Sequence, residues 1–173
     1  MDGVRTIAAG ITNSTTLVAL SLEGNQLMQG GGARRRGGGR GGYGGYGGLG
    51  MANNATGGFK ALADALPTCA ALASVNLSNT CLGPQGAALL APALQVCASL
   101  TKLNIWNNNI GVEGATTIVN AAPAQMRTVC GDMFEEGQTE ADLSGKKLGP
   151  EGAILVAWDL RAGFVSSSMK SLK

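Results

Sequence analysis

Between Leu72 and Ser99, apolar residues stand at positions 1, 4, 6 and 11 of a 28-residue unit (Leu72, Val75, Leu77, Leu82) and then at 19 and 23 (Leu90, Leu94), with Gly86 at position 15. The apolar spacing widens from about two to about four within the unit, which predicts a short strand with alternate side chains buried and then a helix with one buried stripe. Neither element can bury its face alone. Copies must therefore stack, and a strand–helix unit repeated at a fixed period predicts an α/β fold: a curved parallel sheet backed by helices.

The same template recurs along the chain. Leu17–Leu27 supplies a strand segment with Leu17, Leu20, Leu22 and Leu27 inward and Asn25 at position 9, where a short amide can bond the backbone of the turn. Met1–Ile11 reads as a helix lacking its strand, because Ile11 precedes Leu17 by the same six residues that separate Leu94 from Leu100. The unit from Leu100 is the cleanest, with Leu103, Ile105, Asn108, Ile110, Gly114, Ile118 and Ala122 on template. After Pro123 the register slips: the Ile110–Ala115 motif IGVEGA returns as LGPEGA at Leu148–Ala153, 38 residues later. Met126 and Val129 offer a partial strand start, and a short acidic insert is expected at about 129–138. Met169 and Leu172 resemble the first anchors of another strand, so both ends fall within a repeat, and either a fragment of a longer chain or a protein whose ends are covered by partners is expected.

A second insert is longer. The helix matching Leu17–Leu27 appears only at Phe59, and residues 28–58 intervene with 15 Gly between Gly30 and Gly58. Such a segment cannot offset its ordering entropy by burial and is expected to be a disordered loop. One repeat array spanning 1–173 is thus expected to carry both inserts.

Composition adds three points. Aromatic residues make up 4% of a chain that is 45% hydrophobic, which suits thin layers of equal volume built from Leu, Ile, Val and Ala. The net charge of +2 conceals four Arg in the long insert, against nine basic and eleven acidic residues elsewhere. Four cysteines form no C-x-x-C pair and there is no His, so no metal or other cofactor is expected. No apolar run approaches membrane-spanning length and no export leader is evident, so an intracellular, most simply cytoplasmic, setting without membrane insertion is expected.

The pattern L-x-x-L-x-L-x-x-N-x-L, followed by Gly at 15 and apolar residues at 19 and 23, resembles the ribonuclease-inhibitor-like subtype of leucine-rich repeats. Leu17–Leu27, Leu72–Leu94 and Leu100–Ala122 carry it, with Thr80 in place of the Asn in the second; Gln138–Leu160 departs further, with Lys146 at the Asn position. The resemblance implies a horseshoe segment of a solenoid, strands on the concave face and helices on the convex one. It also implies a non-enzymatic protein-binding scaffold, possible subunit of a larger assembly, with no small-molecule substrate.

Strand positions 3, 5, 7 and 8 should face out of the concave side. Candidate partner-binding residues are therefore Glu23, Asn76, Ser78, Lys102, Asn104, Trp106, Asn107 and Asp142. Trp106 is conspicuous, since an exposed Trp ringed by Asn can anchor a contact unless a neighbour covers it. Trp158, between inward Val156 and Leu160 on a helix, is expected to pack. The run RRRGGGRGGYGGYGG resembles the Arg/Gly/aromatic segments of RNA-associated proteins, which makes Arg34, Arg35, Arg36, Arg40, Tyr43 and Tyr46 the candidate residues for an alternative, non-specific nucleic-acid contact. A tolerated surface insertion is the plainer reading of that run.

Overall fold

The computed structural model describes residues 3–28, 52–131, 133–134, 138–146, 148–162 and 170–172, with 52–55 and 172 described by backbone alone. Three strands, β1 (Ala19–Ser21), β2 (Ser74–Asn76) and β3 (Lys102–Asn104), pair in parallel in chain order. Register follows the repeat: Leu20 stands beside Val75, and Val75 beside Leu103. The inward residues Leu72, Val75, Leu77, Leu100, Leu103 and Ile105 are all at most 1% exposed, as alternation over a three-residue strand requires. On the edge strand β1, Leu17 and Leu20 are only half-buried.

Five helices, α1 (Gly3–Ile11), α2 (Ala52–Ala65), α3 (Gly83–Val96), α4 (Gly111–Ala121) and α5 (Pro150–Arg161), pack each on the next. Pro near the first position of α3 and α5 sets the helical φ where no amide partner is needed. Glycine at position 15 is required by closeness: a Cβ at Gly86 would lie 2.8 Å from the Leu82 Cβ, and one at Gly114 would lie 3.1 Å from the Cβ atoms of Ala87 and Ile110. The repeat's Gly is therefore where helix and turn meet.

The turn from strand to helix is built from left-handed residues. Position 8 has positive φ in all four fits, at Gly24, Asn79, Asn107 and Gly145, and so do Cys81, Gly83, Asn109 and Gly111 further along the turn. Asn reaches this region at less cost than other side chains bearing a Cβ, which accounts for its recurrence here. Asn108 at position 9 is 1% exposed and does what its place in the repeat predicts. Its Oδ1 accepts from the Thr80 amide at 2.9 Å, the Thr80 hydroxyl at 3.0 Å and the Leu82 amide at 3.2 Å. Its Nδ2 donates to the carbonyls of Leu77 at 2.7 Å and Ile105 at 2.9 Å, so one amide ties two layers together.

Two insert boundaries differ from the sequence expectation. Helix α2 begins at Ala52, seven residues before Phe59, and packs on α1; the Arg5 guanidinium lies directly over Gly57, 2.6 Å from where a Cβ would stand. Low helix propensity in ANNATGG hid a segment that tertiary packing recruits. The remainder of the Gly-rich expectation, 29–51, lies outside the described residues.

The second difference concerns 129–138. Thr128 bridges Lys102 in parallel, the Leu103 amide donates to the Thr128 carbonyl at 3.0 Å and the Ile105 amide to the Val129 carbonyl at 3.3 Å. Val129 is fully buried, and Cys130 and Phe134 are 2% and 4% exposed. Residues 126–131 therefore occupy the next strand place beside β3, 26 residues on rather than 28, and the chain departs from the repeat only after Gly131. A separate parallel pair follows, β4 (Glu140–Ala141) with β5 (Ser171–Leu172).

Candidate partner-binding face and its pocket

Outward positions on the strands make a hydrogen-bonded polar row. The Asn107 amide donates to Asn79 Oδ1 at 2.6 Å, the Asn79 amide to Glu23 Oε1 at 3.3 Å, and the Asn76 amide to Glu23 Oε2 at 3.1 Å. Three layers are thus linked through side chains on the exposed face. Lys102 stands exposed beside this row and forms no ion pair among the described residues.

Several of these side chains also have a local task. Asn76 Oδ1 accepts from the Ser78 amide at 3.0 Å, Asn104 Oδ1 from the Trp106 amide at 3.0 Å, and Asp142 Oδ1 from the Ser144 amide at 2.8 Å. Position 5 therefore closes an Asx turn after β2, after β3 and at Asp142, which accounts for Asn or Asp there, whereas the first unit has Ser21 at this place. The Ser144 hydroxyl and then its amide, both donating to Asp142, hold that carboxyl below the usual carboxylate range.

The expectation of eight outward residues needs two corrections. Ser78 is 3% exposed, because its hydroxyl turns back to Asn76 Oδ1 at 2.8 Å. Trp106 is half-buried rather than free: its six-membered ring rests on α5, with one carbon 3.1 Å from where a Gly152 Cβ would be. Trp158 packs against the core as expected.

The row ends at a pocket of about 300 Å³ between the turn after β3 and the turn before α5. Ile110 and Leu155 line its apolar side, Trp106 a wall, and Asn107, Lys146 and Glu151 its polar side. The Glu151 carboxylate accepts the Gly111 amide, capping α4 from the neighbouring helix. Reading by strand positions missed Glu151 and Lys146, since both lie in the turn and the first helical turn; the recurring E of LGPEGA was the available signal.

Asp159 was missed as well. It is fully buried on α5, and its carboxylate accepts from the Thr128 hydroxyl at 2.6 Å, the Val129 amide at 2.7 Å and the Cys130 amide at 3.3 Å. Burial pushes its pKa up against the pull of these donors. Burial and then the nearby Asp159 raise the Cys130 thiol, and burial with the neighbouring Cys69 pushes Cys97 up to about 11. These two thiols are held protonated, which suits core packing.

Arg34, Arg35, Arg36, Arg40, Tyr43 and Tyr46 lie outside the described residues. Among the described residues no group of three or more His, Cys, Asp or Glu could hold a metal ion, and no helix is long and apolar enough to cross a membrane.

No curated protein sequence matches the chain. A family model described as a leucine rich repeat matches residues 96–119, which run from the end of α3 through β3 and most of α4. That stretch contains Leu100, Leu103, Ile105 and Asn108, whose burial and bonding define the layer above. Residues 96–119 thus match a leucine-rich repeat, and such a repeat suggests a protein-interaction role.

Proposed function

We propose that the chain is a solenoid segment of the ribonuclease-inhibitor-like subtype, acting as a non-enzymatic scaffold that binds a protein partner through its strand face, as one subunit of a larger assembly. The observation that carries this reading is the row Glu23–Asn76–Asn79–Asn107, a pre-ordered polar surface across three layers that ends at a half-exposed Trp. Side chains already held by one another lose little further freedom on binding, and an aromatic group at the end of such a row supplies apolar contact area. The 28-residue offset between Ser74 and Lys102 supports the subtype.

Co-purification of the whole chain, with and without nuclease, tests it. Lys102→Glu, on an exposed ammonium with no ion pair among the described residues, should weaken partner capture at unchanged folding, and Trp106→Ala should weaken it by about 2 kcal/mol or more. Replacing Arg34, Arg35, Arg36 and Arg40 by Gln should matter little. The reverse ranking, with nuclease-sensitive capture that weakens steeply with salt, would sink the scaffold reading and favour RNA contact through the insert.

A further inference from the structure

The pocket beside Trp106 is chemically mixed, and its features converge on one kind of occupant. Ile105, Ile110 and Leu155 line it as core residues of 1–3% exposure, giving a dry base. The Trp106 ring lies against the bare Cα of Gly152, which presents it along the pocket wall. Lys146 and Glu151 bring opposite charges to the same opening, so neither sign of ion is selected by net field. Asn107 donates through Nδ2 to Asn79, while its Oδ1 accepts no hydrogen bond among the described residues. A volume near 300 Å³ is at the lower end for ligand pockets and has room for one large side chain.

We infer that this pocket receives an aromatic side chain bearing a hydroxyl, a tyrosine presented by an extended segment of the partner; the inference rests on the protein-binding reading above. The ring packs against Trp106 in an offset or edge-to-face arrangement over the apolar base. Its phenolic O–H donates to Asn107 Oδ1. An aliphatic side chain would cover the base but leave that acceptor unused, and a guanidinium, drawn to Glu151 but repelled by Lys146, would gain no net attraction at the opening.

The experiment is a titration of the isotope-labelled full chain with N-acetyl-tyrosinamide, N-acetyl-leucinamide and N-acetyl-argininamide, followed at the Trp106 indole and Asn107 side-chain amide signals. The tyrosine probe should shift both saturably and bind about three- to tenfold tighter than the leucine probe, the increment an aromatic pair contributes. In Gly152→Ala, whose new Cβ displaces the Trp106 ring, those shifts should be lost. Should that variant fold poorly, Asn107→Asp serves instead: its carboxylate still accepts the phenol, so tyrosine binding should persist. Leucine or arginine matching tyrosine overturns the inference, as does tyrosine binding untouched in a folded Gly152→Ala protein or lost in Asn107→Asp. These signals read the pocket directly, so they can fail while partner capture through Lys102 holds, or hold while it fails.

Discussion

Residues 72–122 and residues 126–161 solve one problem with opposite chemistry. In both, backbone groups at a turn or strand end are buried and need partners. In the regular region the partner is Asn108, a neutral amide that accepts from Thr80 and Leu82 and donates to Leu77 and Ile105. It can therefore receive one layer's bonds and return bonds to it and its own. In the irregular region the partner is Asp159, which gathers donors from Thr128, Val129 and Cys130 and passes nothing on. A carboxylate can only accept, so the ladder that an amide continues, a buried acid ends. The difference coincides with the place where the sheet is interrupted and β4 pairs with β5 instead.

The sharpest way to break this comparison is to remove Asp159. Asp159→Ala leaves the Val129 amide buried without an acceptor and leaves the Thr128 hydroxyl only the Gly131 carbonyl at 3.1 Å and the Cys130 amide only Thr128 Oγ1 at 3.1 Å; with the bonds to the carboxylate gone it should cost about 4 kcal/mol in urea unfolding, and Asn108→Ala about 3 kcal/mol. A loss below about 1 kcal/mol for Asp159→Ala would mean that water reaches those donors. pH separates the two variants further. With the Asp159 pKa raised in the folded state, the folded chain holds a proton that the unfolded chain releases, so this group's contribution falls as pH rises from the ordinary Asp range through the folded value. The stability of the natural protein relative to Asp159→Asn should therefore decline with rising pH over that window. Relative to Asn108→Ala it should show no such component.

Next in size is Leu77→Ala. Leu77 is fully buried in the regular region, and its truncation should cost about 3 kcal/mol, a large share of what a small array has in total. Urea melts showing less than about half a kcal/mol would mean that the strand register is wrong.

What could be read from sequence, and what could not, divides along the same line. Leu72, Val75 and Leu77, and the Asn at position 9, follow from period and template because each contacts residues one layer away at the same place in the repeat. Asp159 could not be found that way. Its partners lie 29 to 31 residues upstream, in a segment where two residues fewer than the template shift every position. On the strand face, positions 5 and 8 read as binding residues because they point outward. The structure adds a second cause for their identity: position 5 closes a turn and position 8 takes left-handed backbone. Sequence spacing reports direction, whereas the folding back of a side chain on its own turn, as for Ser78, and cover by the next layer, as for Trp106, arise only in the assembled structure.

The glycines at position 15 sharpen the contrast at smaller energies. Gly86→Ala in the regular region drives a Cβ to 2.8 Å from the Leu82 Cβ, which is tied to the backbone of the same turn and cannot retreat. Gly152→Ala meets the far edge of the Trp106 ring at 3.1 Å, and that ring can swing toward the pocket. The first should cost about 2 kcal/mol and the second about 1 kcal/mol, as overpacking against fixed and movable neighbours. Equal losses in thermal melts would show that Trp106 is as firmly held as the Leu82 backbone.

The smallest expected effect decides what position 8 is for. Asn107 has φ 56°, and Gly24 and Gly145 occupy the same place in their own layers at 74° and 69°. If backbone conformation is the main reason for Asn here, Asn107→Gly should change stability by less than about half a kcal/mol, since relief of left-handed strain offsets the lost bond to Asn79 and the added chain entropy. Asn107→Val, equally short of that bond but β-branched, should cost about 1–2 kcal/mol. A large loss for Asn107→Gly would instead assign the stability to the side-chain row, making Glu23–Asn79–Asn107 a brace between layers rather than a surface free to bind.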